Sequence, residues 1–140
     1  MEQNTIPSSV SKSSLNALDL LPRGETLMVE FKSDRKCLSD KELINAVVAL
    51  ANTDGGIVLL GVEDDGTPTG LHPNHRPFEG VSRLVANRTV PALTVEAWTE
   101  TVSGRGIGVV RVPKSNQLVA TSDGLLLHRR IRPLTPFNAT

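Results

Sequence analysis

The run from Leu50 to Gly66 constrains the fold of this 140-residue chain more than any other segment. It begins with Asn52-Thr53-Asp54-Gly55-Gly56 and continues with the apolar, β-branched run 57–62. Two adjacent glycines can take the positive φ that ends a helix and turns the chain sharply. A short apolar run between turn residues is typical of a strand buried on both faces. The segment therefore predicts a helix that stops at Asn52 and a central strand directly after it.

The strand is followed by Asp64-Asp65-Gly66, and these three residues predict a tight turn. An Asp-Gly pair accepts the positive φ values of a type I′ turn, so we expect a hairpin with Asp65 and Gly66 at its centre. The turn would leave several carboxylates at the end of the strand.

The residues upstream predict an amphipathic strand and then a helix. Residues 27–32 alternate, with Leu27, Val29 and Phe31 on one side and Glu30 and Lys32 on the other. Ser39 or Asp40 followed by Glu42 is typical of a helix start. The apolar residues that follow, at spacings of three and four, are Leu43, Val47, Leu50 and Ala51.

The remaining elements complete an α+β prediction. A short helix is expected from Ser13 or Ser14, and another over 78–87. Two hairpins are expected, one from runs 93–102 and 107–112 and one from runs 118–121 and 125–130. This order predicts a single domain with a mixed β-sheet and about three packed helices. We expect a flexible arm over 1–12, the domain over 13–135 and a tail over 136–140.

Composition restricts the classes of protein that fit. No apolar stretch approaches the roughly 20 residues that cross a bilayer, and the polar start of the chain is no secretory signal, so a cytoplasmic protein without membrane partners is expected. The single cysteine, Cys37, cannot form an internal disulfide, and a catalytic role for it is not favoured. The formal net charge is zero, but residues 1–104 carry nine Lys and Arg against fourteen Asp and Glu, whereas residues 105–140 carry six against one.

The two motifs together resemble the Schlafen AlbA-like domain. The family pattern has Glu, four residues and Glu-Phe-Lys, then a helix ending in Ala-Asn-Thr-x-Gly-Gly, a strand ending in Gly-Val, and Asp-Asp-Gly. This chain supplies Glu25, Glu30-Phe31-Lys32, Ala49, Ala51-Asn52-Thr53, Gly55-Gly56, Gly61-Val62, Asp64-Asp65-Gly66 and Gly70. The C-terminal signature is weaker: Arg130, Ile131 and Thr135 match it, while Arg132, Pro133 and Leu134 depart from it.

The resemblance implies a nucleic-acid partner and opens the alternative of an enzyme. Family members often carry a further domain downstream, so this chain is expected to be a stand-alone or excised N-terminal module of a transcriptional-regulator-type protein. In Schlafen proteins the two glutamates and a following aspartate form a metal-dependent ribonuclease site. By that resemblance Glu25, Glu30 and Asp64 would be both the metal ligands, for Mg²⁺ or Mn²⁺, and the catalytic residues.

Physical chemistry leaves the acidic cluster open. Close carboxylates repel one another unless a cation or a basic side chain compensates them. Hard oxygen ligands suit Mg²⁺ or Mn²⁺, and the third ligand could be Glu63, Asp64 or Asp65. The opposite interpretation is that Glu30 and Lys32 pair with neighbours and that the turn is only a turn.

Basic residues favour nucleic-acid binding as the leading hypothesis. The residues expected to contact phosphates of DNA or RNA are Lys32, Lys114, Arg129, Arg130 and Arg132. Few aromatic side chains are available for base stacking, so weak sequence specificity is expected. No cofactor is required for binding, and a protein-interaction domain that forms homo-oligomers is the third alternative.

Two further patterns receive less weight. His72 and His75 could bind a metal, but no third ligand is near in sequence, so a surface loop is preferred. Glu30 and Lys32 on one strand are also similar to the acid and lysine of restriction-endonuclease-like nucleases, with Asp19 as the upstream acid. That interpretation leaves the Asn-Thr-Asp-Gly-Gly segment unexplained.

Overall fold

The computed structural model describes residues 16–129, and the fold is α+β, as predicted. The two α-helices are α1 (Asp40–Ala51) and α2 (Val81–Asn87). The strands are β1 (Val29–Lys32), β2 (Gly56–Leu60), β3 (Thr89–Val90), β4 (Glu96–Val102), β5 (Arg105–Val112) and β6 (Ala120–Thr121). Single 3-10 turns lie at Ala17–Asp19, Leu21–Arg23, Pro73–His75 and Phe78–Gly80.

Four strands form one mixed sheet in the order β1-β2-β5-β4. The pair β1 and β2 is parallel, with Val29 opposite Ile57, and the other two pairs are antiparallel. A parallel pair needs a crossover connection, and the chain supplies it with α1. β3 and β6 form a separate antiparallel pair.

Alternation along the central strands places a hydrophobic core on each face of the sheet. Val58 and Leu60 pack with α1 and with Phe78 and Val85. Their neighbours Ile57 and Leu59 point to the opposite face, where the core includes Phe31, Trp98, Ala17 and Leu20. All five residues of β2 are buried, which confirms the prediction of a central strand covered on both sides.

The glycine pair after α1 has the architectural role that the sequence indicates. The helix begins after the N-cap Ser39, whose hydroxyl accepts the Glu42 N–H, and ends at Asn52. The N–H of Gly55 (φ +74°) then donates to the Leu50 carbonyl at 2.7 Å. Gly56 has φ +147°, and a Cβ there would overlap the Met28 carbonyl oxygen, so only glycine lets β1 and β2 approach.

Two predicted turns differ from their expected form. At Glu63–Gly66 the chain turns back, but Gly66 alone has positive φ, so the type I′ prediction for Asp65 and Gly66 is wrong. A single antiparallel bridge, Val62 to Pro68, follows this turn. The type I′ geometry occurs in the β4–β5 hairpin, where Ser103 (φ +53°) and Gly104 (φ +75°) form a two-residue loop.

Helix ends and short strands account for the other differences. The predicted first helix falls partly outside the described residues, and its described part is two 3-10 turns, because Pro22 lacks the N–H that a continuing helix needs. The helix predicted over 78–87 starts as a 3-10 turn and becomes α2. A hairpin was predicted from 118–121 and 125–130. Within the described residues, which end at 129, these runs share only the bridge Ala120–Leu126, because β6 pairs with β3.

The predicted arm over 1–12, the tail over 136–140, and Arg130 and Arg132 lie outside the described residues. Across residues 16–129, the structure has no helix with both the length and the apolar character to cross a membrane.

Candidate nucleic-acid groove

Glu25 precedes β1 and Glu30 lies within it, and each carboxylate has a partner. The backbone N–H of Phe31 donates to Glu25 Oε2 at 2.9 Å. Glu30 points to the polar side of β1, where its Oε1 pairs with the Arg129 guanidinium and its Oε2 lies 3.4 Å from Lys32 Nζ. Basic side chains therefore compensate the Glu30 charge, one of the two solutions that the sequence left open.

The turn after β2 brings further carboxylates to the same region. Thr69 Oγ1 donates to Glu63 Oε2 at 2.5 Å, and Arg35 Nε lies 3.8 Å from the same oxygen. The hydrogen bond from Thr69, with a second from Ser33, lowers the pKa of Glu63 below its usual value. Hydrogen bonds from Thr67 likewise lower the pKa of Asp65.

These elements enclose an open groove of about 720 Å³. Its acidic lining residues are Glu25, Glu30, Glu42, Glu63 and Asp64. Its basic lining residues are Lys32, Arg35 and Lys36. The structure thus brings the three predicted acids to one surface, together with Lys32 and with two basic residues, Arg35 and Lys36, that were not predicted from the sequence. Asp19, the acid of the restriction-endonuclease-like alternative, is not among the lining residues.

The acidic lining does not fit a metal centre in the observed side-chain positions. Within residues 16–129, no three His, Cys, Asp or Glu side chains are grouped so that they could hold a metal ion. Glu25 accepts a backbone N–H with one carboxylate oxygen, and Glu30 is paired with Arg129 and Lys32. A metal would have to displace these partners.

The predicted basic residues have different surroundings. Lys32 lines the groove, and its side chain is 30% exposed. The Arg129 guanidinium pairs with Glu30 and also donates to the carbonyls of Leu27 at 2.8 Å and Thr26 at 2.5 Å, so it joins the C-terminal segment to β1. Lys114 follows β5, and its Nζ lies 3.8 Å from Asp54 Oδ1. Lys114 does not line the groove.

Arg35 and Lys36 were not identified as candidates from the sequence. Both are exposed in the loop between β1 and α1, and both line the groove. They are adjacent in the sequence and lie close after the Glu-Phe-Lys motif. This pattern could have identified them as candidate phosphate-binding residues. In the same loop Asp34 is completely buried and accepts hydrogen bonds from Leu38 and His72, contacts that only tertiary structure creates.

Comparisons with known proteins identify the family and the fold of the chain. The protein-family model described as "Schlafen, AlbA_2" matches residues 25–133. A solved structure of a Corynebacterium diphtheriae protein is similar, with a TM-score of 0.65 and 17% identity over 81% of this chain and 27% of that chain. The N-terminal domain of a RecG-related protein from Nitrosomonas europaea is similar with a TM-score of 0.60 and 28% identity, over 90% of this chain and 95% of that chain. No curated protein matches the sequence.

The present chain spans only about a quarter of the Corynebacterium protein, and that likeness concerns the fold alone. The family match is broader, because it starts at Glu25 and includes both sequence motifs and the groove. The predicted resemblance is confirmed, and the chain belongs to the Schlafen AlbA_2 family.

Proposed function

We propose that this chain is a nucleic-acid-binding module of a larger, regulator-type protein, and that Lys32, Arg35 and Lys36 contact the phosphate backbone. The observation that carries the proposal is that these three cations line one open groove. The family membership supports it, as does the similarity to a domain of a protein named for its relation to a DNA helicase.

The cations at the groove are positioned to reach a ligand. The Arg35 side chain is 68% exposed, and its ion pair with Glu63 is long, at 3.8 Å. Exposed pairs of this kind contribute little, so a phosphate can replace Glu63 as the partner of Arg35 at small cost. A guanidinium can also bind phosphate through two parallel hydrogen bonds.

Three of the groove's acids are already engaged with the protein. Glu25 accepts from the Phe31 N–H, Glu30 pairs with Arg129 and Lys32, and Glu63 accepts from Thr69. Arg129 and Lys32 compensate the charge of Glu30, which reduces the repulsion that a polyanion would meet at the groove.

The aromatic residues support weak sequence specificity. Among the residues described, Phe31, Phe78 and Trp98 are all buried in the two cores. Side chains in the core cannot stack on bases, and stacking is the main contact in many single-strand binders. Contacts to the phosphate backbone position a nucleic acid without reading its sequence, so we expect similar affinities for unrelated sequences.

A pair of matched double variants tests the proposal. Arg35→Ala/Lys36→Ala should weaken binding of labelled duplex DNA or single-stranded RNA roughly tenfold at low salt, because two phosphate contacts are lost. Arg83→Ala/Arg88→Ala removes the same charge from exposed positions at α2 that do not line the groove, and should change affinity little. Fluorescence anisotropy measures both; equal loss in the two double variants would reject the groove as the binding surface.

The same samples separate binding from the ribonuclease alternative. Structured RNA is incubated with the native chain and Mn²⁺, and its length is followed on a denaturing gel. Intact RNA is expected if the groove only binds. Cleavage that depends on Mn²⁺ and is lost in a folded Glu30→Gln variant would replace the binding proposal with a nuclease.

A further inference from the structure

A cysteine, a histidine and a buried aspartate form a continuous chain of contacts beside the groove. Cys37 Sγ lies 3.8 Å from His75 Nε2, and His75 Nδ1 lies 2.7 Å from Asp34 Oδ2. The Asp34 side chain is 0% exposed and that of His75 is 18% exposed. A nucleophile, a base and a group that orients the base are the three parts of an activated nucleophile.

The carboxylate of Asp34 is held in place by the backbone. Its Oδ1 accepts the Leu38 N–H and its Oδ2 accepts the His72 N–H, both at 2.8 Å. A fixed carboxylate beside Nδ1 favours the imidazole tautomer with the proton on Nδ1. In that tautomer the Nε2 lone pair faces the Cys37 sulfur and can accept its proton.

Cys37 itself has an unusual backbone conformation. It closes the turn that starts at Asp34, and its φ is +60°. The other non-glycine residue with positive φ in the described part of the chain is Ser103, which the type I′ hairpin explains. No hairpin requires this conformation at Cys37, and strained conformations of this kind concentrate at functional sites. Cys37 is partly exposed and lines the open groove, so a small reagent can reach its sulfur.

We propose that Cys37 is a site of reversible modification by low-molecular-weight disulfides, with His75 as the base and Asp34 as the residue that positions it. His75 Nε2 takes the thiol proton, and the Cys37 sulfur attacks one sulfur of the disulfide. The disulfide's S–S bond breaks, and its second sulfur leaves as a thiolate that takes the proton from His75. The products are a mixed disulfide on Cys37 and one free thiol. The proposal does not rest on the proposed nucleic-acid binding.

The test uses the fact that Cys37 is the chain's only cysteine, so every adduct reports on it. Dithiobis(nitrobenzoate) is the disulfide probe, and its coloured thiolate is followed at pH 7. The native chain should react about tenfold faster than the same chain unfolded in urea, because a neighbouring base activates the thiol. His75→Ala should react at the rate of the unfolded chain. Added imidazole should restore part of the lost rate, which it could not do if His75 were only structural.

The control is His72→Asn, in the same 3-10 turn. His72 Nδ1 accepts the Asn74 N–H, and an asparagine retains an acceptor for this cap, so the native rate is expected. His75→Gln, checked for folding by circular dichroism, replaces His75→Ala if the latter fails to fold. A native rate at or below that of the unfolded chain, or an unchanged rate in a folded His75 variant, would overturn the proposal.

Discussion

At the scale of single residues, hydrogen bonds hold the pKa of the groove residue Glu63 below its usual value. The Thr69 hydroxyl donates to it at 2.5 Å and is the main cause of its lowered pKa. A lowered pKa means that the folded state favours the ionised carboxylate. The resulting stability is present above the usual Glu pKa of about 4.3 and is lost as the pH falls through the lowered value.

Thr69→Val removes this donor with little change of shape. The pKa of Glu63 should rise toward its usual value. The free energy of unfolding at pH 7 should fall by about 1 kcal/mol, the typical net value of an intramolecular hydrogen bond. The difference between the two proteins should shrink below the lowered pKa, where Glu63 is protonated in both. Carbon-detected NMR titration gives the pKa and urea unfolding gives the stability. An unchanged Glu63 pKa in Thr69→Val would contradict this assignment.

At the scale of secondary-structure elements, Asn52 joins the end of α1 to the C-terminal segment. Its Nδ2 donates to the carbonyls of Val119 and Leu127, both at 2.8 Å, and its Oδ1 accepts the Val119 N–H at 2.9 Å. Thr53 continues the connection, because its Oγ1 accepts the Arg129 N–H. The local sequence identifies Asn52 as the end of a helix, but these partners are 67 and 75 residues away and have no local signal.

Asn52→Ala should therefore destabilise the fold by about 2–4 kcal/mol, since three hydrogen bonds are lost at roughly 1 kcal/mol each. The control is Asn87→Ala at the exposed end of α2, which should lie within about 0.5 kcal/mol of the native chain. Urea unfolding measures both. Similar stabilities for the two variants would show that the Asn52 contacts do not hold the C-terminal segment.

The parallel pairing of β1 and β2 depends on Gly56. In Gly56→Ala the new methyl group would overlap the Met28 carbonyl oxygen at a φ of +147°, so either the pairing or the turn must move. A loss of about 3 kcal/mol or more is expected from the strained backbone and the displaced strand. Gly80→Ala is the matched control, because nothing lies within 4 Å of its added Cβ. Thermal unfolding measures both variants, and equal midpoint temperatures would contradict a special role of Gly56.

At the scale of the whole molecule, the sequence predicts correctly those elements whose causes lie in neighbouring residues. The helix start at Ser39, the glycine stop and the buried strand β2 each follow from adjacent residues, and all are confirmed. The contacts of the groove were harder to foresee. Arg129 reaches Glu30 across 99 positions, and His75 reaches Asp34 across 41, so no periodicity or spacing rule connects them. The type I′ turn was assigned to the wrong glycine because several pairs in the chain permit that geometry.

The number of phosphates that the protein neutralises sets how steeply nucleic-acid binding depends on salt. If only Lys32, Arg35 and Lys36 bind phosphates of duplex DNA, log K should fall against log salt with a slope of about −2.7, which is roughly a 40-fold loss between 50 and 200 mM. The Arg35→Ala/Lys36→Ala variant should retain a slope near −0.9, whereas Arg83→Ala/Arg88→Ala should keep the native slope. Anisotropy titrations over this salt range measure all three proteins. A native slope twice as steep would show that residues outside the groove, with Lys114, Arg130 and Arg132 first among them, carry much of the contact.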